Sequence, residues 1–275
     1  MSASFNSRLR QTIATRRSLL CVGLDPEIEK LPASLPRTAS GLVQFCCEII
    51  QATAPFAAAF KVNFAFFEAL GREGWDALAQ VAAALPNDLI KIADAKRGDI
   101  GNTARLYAAA VFRELPFDAL TANPYLGEDA AAPFLEDETK GAFFLCRTSN
   151  PSSASVQLFP KKETPLYLHI AREVMKWNRH DNAGLVVGAT QPAELEHLRR
   201  ECPALPFLIP GVGAQGGDLE SAVKVGAGAA GDLALINASR AIIYAASDKN
   251  FAEAAAKEAE RMKKQMQEGY GFQKK

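Results

Sequence analysis

The sequence predicts an α/β protein that folds as a (β/α)8 barrel, with residues 1–275 in a single domain. Three observations support this prediction. Eight apolar segments of strand length occur along the chain, and Ala- and Leu-rich segments with helical spacing lie between most of them. The length of 275 residues is close to the roughly 250 residues that many single-domain barrels contain.

The predicted strands are short and apolar, and turn residues or charges bound them, as is typical of strands buried on both faces. In chain order they are SLLCVGLD, AAFKVN, LIKIADAK, ALTANPY, GAFFLCRTS, GLVVGAT, PFLIPGVG and LALINAS. Parallel strands need long crossover connections, so helices between the strands indicate parallel pairing with both faces of the sheet covered.

The predicted helices carry apolar residues three and four positions apart, which places those residues on one face. In chain order they are GLVQFCCEIIQATAP, WDALAQVAAALP, GNTARLYAAAVFREL, YLHIAREVMKWNRH, PAELEHLRREC and DLESAVKVGA. The tail, residues 248–275, combines Ala with many charges and predicts a solvated helix that ends the chain.

One alternative architecture stays open at this stage. A doubly wound open sheet also alternates strands and helices, and counting elements does not separate it from a closed barrel. The longest irregular stretches, residues 31–40 and 148–165, fit loops between elements, so no linker divides the chain. The second stretch is a candidate mobile cover over a site.

Composition limits the class of partner. Lys plus Arg and Asp plus Glu number 31 each, so the chain lacks the basic excess of a nucleic-acid binder and we expect a small-molecule partner. No apolar run reaches the ~18 residues of a membrane span, and the first 20 residues lack the apolar core of a secretory signal. The five cysteines show no metal-ligand spacing. These features predict a cytoplasmic protein.

The charges that end the third strand are the strongest functional signal. Side chains alternate faces along a strand, so Asp94 and Lys96 follow two buried isoleucines on one face and emerge at the carboxyl end. Asp25 ends the first strand, and Lys61 and Asn63 end the second. Barrel enzymes carry their chemistry at this end. Charges of both signs are costly to bring together unless they pair, so these residues predict a preorganised site.

A phosphate site is predicted at the last two strands. The segment PGVGAQGGDLE places glycines around Gln215 between the seventh strand and the next helix, and Arg240 follows the eighth strand. Backbone N–H groups of a glycine-rich turn and a planar guanidinium suit a phosphate dianion. Barrels often bind phosphate after strands seven and eight, although a glycine-rich turn alone is equally typical of an ordinary tight turn.

At this point the sequence resembles the orotidine 5′-phosphate decarboxylase family, within the group of barrel enzymes that share a D-x-K-x-x-D motif. The matching segments are CVGLDP, FKVNFAFFE, DAKRGDIGNT, TANPYLG, CRTSNPS, PGVGAQGGD and NASRAIIYA. They occur in order over nearly the whole chain, and their sequences resemble those of the longer bacterial branch of the family. The resemblance implies a barrel that converts orotidine 5′-monophosphate to uridine 5′-monophosphate and CO₂ without a metal or organic cofactor.

The resemblance also implies roles for the charged residues. Lys96 would stabilise the carbanion left at C6 of the pyrimidine and then protonate it. Asp94 would sit beside the departing carboxylate, and Lys61 and Asp99 would hold these groups in place. Repulsion between Asp94 and the substrate carboxylate would add to the rate acceleration. Its share relative to transition-state stabilisation by Lys96 stays open.

Further implied roles concern substrate binding. Asp25 would bind a ribose hydroxyl, Ser149 would contact the pyrimidine, and Gln215 would bridge the phosphate and the base. Asp25 precedes Pro26, and Ser149 begins a Ser-Asn-Pro turn sequence. A purely structural role therefore remains an alternative for each.

The resemblance implies a homodimer. Asp99, Ile100 and Thr103 would reach the site of the partner subunit, which the residue pattern alone does not indicate. Two alternative functions remain. The first is an Mg²⁺-dependent phosphosugar lyase that shares the D-x-K-x-x-D motif, and the second is a catalytically silent nucleotide-binding barrel. A metal requirement would favour the first, and turnover would exclude the second.

Overall fold

A computed structural model of the chain describes residues 3–160, 164–212, 219–228 and 233–270, apart from the side chains of Ser221 and Tyr270. Its eight strands form one closed barrel in sequence order, with every neighbouring pair parallel. The first strand closes onto the eighth, where Leu20 pairs with Ile236. The predicted barrel is therefore confirmed, and the open doubly wound sheet is excluded.

Each predicted strand is present, in the predicted order. The strands are β1 (Leu20–Leu24), β2 (Ala59–Asn63), β3 (Ile90–Arg97), β4 (Ala119–Ala122), β5 (Gly141–Arg147), β6 (Ala183–Val187), β7 (Phe207–Ile209) and β8 (Ala234–Ala238). Apolar side chains dominate them and are almost all buried, because the barrel interior covers one face and the helices cover the other.

The described helices surround the barrel and fill its connections. They are α1 (Phe5–Arg16), α2 (Ala39–Thr53), α3 (Ala65–Glu68), α4 (Gly71–Ala84), α5 (Gly101–Ala109), α6 (Glu128–Ala131), α7 (Ser153–Gln157), α8 (Leu166–Trp177), α9 (Pro192–Glu201), α10 (Leu219–Gly226), α11 (Arg240–Ile243) and α12 (Phe251–Tyr270). The six predicted helices correspond to α2, α4, α5, α8, α9 and α10. The stretch predicted as a long loop before α8 contains the short helix α7.

Helix α1 has no counterpart in the sequence-based prediction. Its buried residues Phe5, Leu9 and Ile13 are four positions apart, a helical spacing that the sequence displays. The Phe5 ring packs edge-on against Phe143 of β5 with 5.9 Å between ring centroids. Gly141 permits this approach, since a Cβ atom there would lie 2.3 Å from the Phe5 ring. Helix α1 therefore covers the amino-terminal end of the barrel, away from the strand ends that carry charge.

The predicted closing helix is confirmed as α12. Its buried residues Phe251, Ala255, Ala259, Met262 and Met266 form one apolar stripe. The Phe251 ring stacks on Phe45 of α2 with centroids 5.1 Å apart. Within the part of the chain that the structure describes, no helix has the length and apolar character needed to cross a membrane.

Candidate active site

A cavity of about 260 Å³ opens at the carboxyl ends of the strands. Six of the predicted site residues line it together: Asp25, Lys61, Asp94, Lys96, Ser149 and Arg240. They come from the ends of β1, β2 and β3, from the loop after β5 and from the start of α11. Residues more than 200 positions apart in the chain thus share one site because the barrel closes on itself.

Asp94 is the centre of the charged network. Its Oδ2 accepts a hydrogen bond from Lys61 Nζ at 2.8 Å, and its Oδ1 accepts one from Lys96 Nζ at 2.6 Å. Lys61 Nζ also lies 3.6 Å from Asp25 Oδ1, an oxygen without a hydrogen-bond partner in the structure. The four side chains form an alternating chain of charges, Asp25, Lys61, Asp94 and Lys96.

Burial distinguishes the two lysines. The Lys61 side chain is 5% exposed, whereas that of Lys96 is 51% exposed and faces the cavity. Burial alone would raise the pKa of Asp94, but the charges of Lys61 and Lys96 outweigh it and hold that pKa well below its usual range. Burial alone would lower the pKa of Lys61, but Asp94 and Asp25 raise it above its usual value. Asp94 and Lys61 therefore stay charged at neutral pH.

A bulge at the end of β3 gives Asp94 and Lys96 their positions. Ala93 pairs with Leu120 and Arg97 pairs with Ala122, so four steps along β3 match two steps along β4. Lys96 has a φ of 47°, in the left-handed region that L-residues rarely adopt. Asp94 and Lys96 both line the cavity, as the sequence predicts, although the bulge interrupts the regular strand geometry that the prediction assumed.

The cavity wall opposite the charges is apolar. Its apolar side chains come from later strands and the turn after β7: Leu145, Val186, Leu208, Pro210 and Val212.

Two glycines allow the close packing of neighbouring strand ends. A Cβ atom on Gly23 would lie 1.9 Å from Ser239 Oγ, and one on Gly188 would lie 3.0 Å from the Ser149 backbone nitrogen.

Sequence reasoning missed the residue that organises the loop after β5. Arg147 is 3% exposed and donates to the Thr148 carbonyl oxygen, to Ser153 Oγ at 2.7 Å and to Gln157 Oε1 at 3.2 Å. Gln157 Oε1 in turn accepts the Thr148 N–H at 2.9 Å. These bonds hold the segment that carries Ser149 at the cavity. The sequence feature that could have identified Arg147 is a charged residue at the end of an apolar strand.

Four further polar cavity residues were not assigned from the sequence: Thr121, Thr148, Asn237 and Ser239. Asn237 is 6% exposed, and its side-chain amide donates to Ser239 Oγ at 3.3 Å. Asn63 lines the cavity as its shared face with Lys61 predicts. A polar residue inside an otherwise apolar strand is the signal that points to Thr121 and Asn237.

The predicted phosphate site is described in part. Arg240 lines the cavity at the start of α11, directly after β8. Gln215 and the rest of its glycine-rich turn, residues 213–218, lie outside the described residues. Gly211, at the start of this turn, borders the cavity with a φ of 95°. Of the predicted phosphate site, Arg240 and the start of the turn therefore border the cavity.

Asp99, Ile100 and Thr103 do not line the cavity of their own chain. Asp99 Oδ1 accepts the N–H of Ile100 at 2.8 Å, and Ile100 is 59% exposed. On the next helix, α5, Leu106 is 63% exposed. Ile100 and Thr103 are thus exposed and Asp99 is half-buried, and the three lie on the segment that follows β3 rather than in the cavity lining.

The described residues contain no group of three or more His, Cys, Asp or Glu side chains arranged to hold a metal ion. The charges of the cavity instead alternate between carboxylate and ammonium groups. An ammonium group beside a carboxylate can stabilise a negative charge that develops on a bound substrate and can donate a proton to it.

A closed parallel barrel with a charged network at the carboxyl ends of its strands defines a (β/α)8-barrel enzyme that acts on a small molecule. A family model, orotidine 5′-phosphate decarboxylase / HUMPS family, matches residues 18–255. The chain belongs to this family.

Individual relatives agree with this assignment. The chain is 50% identical over 263 residues to an orotidine 5′-phosphate decarboxylase of Dehalococcoides mccartyi, covering 94% of this chain and 96% of the relative. It is 40% identical to the solved OMP decarboxylase of Leishmania donovani, with a TM-score of 0.82, covering 94% of this chain and 99% of that one. It also matches the solved UMP synthase of Leishmania donovani at 42% identity and a TM-score of 0.84, covering 95% of this chain but only 57% of that longer one.

Proposed function

We propose that this protein decarboxylates orotidine 5′-monophosphate to uridine 5′-monophosphate, the last step of UMP synthesis, within one barrel domain. Membership of the family and 50% identity to a decarboxylase along almost the whole chain support this activity. The observation that carries the mechanism is the position of Lys96, whose ammonium lies 2.6 Å from Asp94 and faces the cavity.

The chemistry follows from the charges. When the bond between C6 and the carboxylate breaks, CO₂ leaves without the bonding pair, and C6 keeps that pair as a carbanion. The ammonium of Lys96 stabilises this negative charge and then gives C6 a proton. Lys96 becomes a neutral amine and recovers its proton from solvent.

Asp94 and Lys61 prepare the site for this step. Asp94 stays ionised next to the position of the substrate carboxylate, so repulsion between the two falls as neutral CO₂ forms. Lys61 fixes Asp94 from the buried side at 2.8 Å and leaves Oδ1 of Asp94 to Lys96. Contacts within the chain itself hold the network, so little reorganisation is needed at the moment of reaction.

The substrate contacts are proposed from the family resemblance and, for Asp25, Ser149 and Arg240, from their place at the cavity. Arg240 holds the phosphate together with Gln215, and Ser149 contacts the pyrimidine. Asp25, which lines the cavity, binds a ribose hydroxyl. The phosphate is remote from C6, so its binding energy can organise the cavity around the reacting carbon.

We also propose that the active unit is a homodimer in which Asp99, Ile100 and Thr103 complete the partner's site. The exposure of Ile100 and Thr103, directly after the strand that carries Asp94 and Lys96, supports this, as do the exposed apolar residues Leu106 and Tyr107 of α5. Apolar side chains grouped at a surface are typical of a protein interface. The cytoplasmic location and the absence of a nucleic-acid partner remain predictions from the sequence.

The activity is tested with purified protein, orotidine 5′-monophosphate and excess EDTA, following the loss of substrate absorbance. We expect rapid turnover that EDTA leaves unchanged. The matched control substrate is orotidine, which lacks the phosphate. Because phosphate binding contributes to organisation of the site, we expect its decarboxylation to be at least about a thousandfold slower. Turnover that requires added Mg²⁺ would favour a phosphosugar lyase, and no turnover would leave a silent nucleotide-binding barrel.

The shared site predicts complementation between two inactive variants. Lys96→Ala removes the proton donor of its own site, and Asp99→Asn removes the residue that reaches the partner's site. After the two are unfolded, mixed and refolded, random pairing makes half the dimers mixed. One of the two sites in each mixed dimer is then intact, so we expect about a quarter of wild-type activity. Activity no higher than the sum of the separate variants would show that Asp99 acts in its own subunit.

A further inference from the structure

The bulge in β3 leaves a backbone group that the sheet does not pair. Between Ala93 and Arg97 the register with β4 shifts, so the intervening residues of β3 lose regular ladder partners on that side. Lys96 lies in this interval in the left-handed conformation. A part-buried N–H group in such a position needs another acceptor, because an unpaired donor away from water is costly.

The Thr121 side chain supplies that acceptor. Thr121, from β4, is 2% exposed, and its Oγ1 accepts the Lys96 N–H at 3.0 Å. Its own hydroxyl proton is then directed to Asp94 Oδ1, 2.9 Å away. One hydroxyl thus joins the backbone of the proton donor to the carboxylate that the donor's ammonium contacts.

We propose that Thr121 is a positioning residue for the decarboxylation. Its hydroxyl fixes the Lys96 backbone in the left-handed conformation and sets the rotation of the Asp94 carboxylate, so that the Lys96 ammonium is held where C6 of the substrate will lie. This inference rests on the function proposed above and adds to it a residue on a fourth strand.

The geometry explains why Lys61 and Lys96 alone do not fix the orientation of the Asp94 carboxylate. Lys61 holds Oδ2 of Asp94 from the buried side, but with this one hydrogen bond the carboxylate can still rotate about the contact. Lys96 is 51% exposed and long, so its ammonium cannot by itself hold Oδ1 in one place. Thr121 is short, β-branched and buried, with few rotamers, and it therefore provides a rigid contact to Oδ1.

The test compares Thr121→Val, which keeps the shape and removes the hydroxyl, with Thr121→Ser, which keeps the hydroxyl. We expect Val to lower kcat about ten- to a hundredfold, the effect of one unpaired buried polar group, with KM within about threefold of wild type. We expect Ser to recover most of the lost kcat. Thr121→Ala, which also lacks the hydroxyl but introduces no new methyl contact, has the same expected result as Val.

Thr53→Val is the matched control. Thr53 is fully buried in α2, and its hydroxyl donates to the Ile49 carbonyl oxygen at 2.7 Å, outside the cavity. We expect this variant to lose stability in thermal unfolding and to keep wild-type kcat. Binding of uridine 5′-monophosphate is measured for each variant, and we expect it to be retained when Thr121 is changed.

The outcomes separate this inference from the proposed function. If wild type turns over and Thr121→Val or Thr121→Ala keeps kcat within threefold, the positioning role is wrong. An equal loss in the Ser and Val variants would also overturn it, since the hydroxyl would then not be the cause. If wild type itself fails to convert orotidine 5′-monophosphate, the proposed function is wrong and the inference is lost with it.

Discussion

Replacing Lys96 by alanine is expected to abolish almost all turnover and to leave the fold and binding of uridine 5′-monophosphate intact. The ammonium both stabilises the carbanion and supplies its proton, so we expect kcat to fall about ten-thousandfold or more. The side chain is 51% exposed and its removal creates no core cavity, so the midpoint of thermal unfolding should change little. Turnover and nucleotide binding are measured on the same preparation.

Lys176→Ala is the matched control for this variant. Lys176 of α8 also forms a 2.6 Å ion pair, with Glu173, and its side chain is 68% exposed, but it lies outside the cavity. We expect wild-type kcat in this control. Near-normal turnover by Lys96→Ala would remove Lys96 from the proton-donor role and require another acid in the cavity.

Replacing Asp94 by asparagine is expected to affect both activity and stability. Among the described residues, the change leaves Lys61, 5% exposed, with Asp25 at 3.6 Å as its counter-charge, and it frees the Lys96 ammonium. Breaking a buried ion pair in this way costs about 3 kcal/mol of unfolding free energy. Loss of the charge that orients Lys96 should lower kcat about a thousandfold. Urea unfolding and steady-state kinetics measure the two effects.

The stability effect of Asp94→Asn should depend on pH. Because the pKa of Asp94 lies below its usual range in the folded protein, its ionised form stabilises the fold fully above the unfolded pKa of about 4. This contribution is lost as pH falls through the folded pKa. Wild type should therefore lose stability below about pH 4 more steeply than the variant does. Parallel acid-unfolding curves would contradict the direction of this pKa shift.

Asp118→Asn separates stability from catalysis. Asp118 is an ion-paired aspartate of similar burial, with 10% side-chain exposure against 11% for Asp94, and it bonds Arg8 at 2.7 Å at the other end of the barrel. We expect this variant to unfold more easily and to keep wild-type kcat. Equal losses of kcat in the two variants would mean that general destabilisation, rather than the local charge, causes the loss.

Much of the fold could be predicted because it depends on local patterns. Apolar runs of strand length and helical spacing recur along the chain, and both are set by backbone geometry over a few residues. The missed helix α1 carried the same signal in Phe5, Leu9 and Ile13, but its many polar residues obscured it. The short helix α7 was missed because five residues give too few repeats for a period to show.

The site could be predicted only in part. Lys61, Asp94 and Lys96 were identifiable because charges that end apolar strands must converge when those strands are parallel neighbours. Arg147 and Thr121 were not identified, because one arginine or threonine in a strand has many structural uses. Their importance lies in contacts with residues on other segments, such as Gln157 for Arg147 and Asp94 for Thr121.

The order of the eight strands, the main helices between them and the charged residues at the strand ends could all be predicted from the sequence. These features follow from short-range periodicity and from the high cost of unpaired buried charge. Three features became evident in the folded barrel alone: the closure of the sheet, the bulge of β3 in its pairing with β4, and the left-handed backbone conformation of Lys96. Closure and register depend on pairing between strands far apart in the chain. The position of the Lys96 ammonium relative to Asp94 is therefore a property of the packed barrel and not of any single segment.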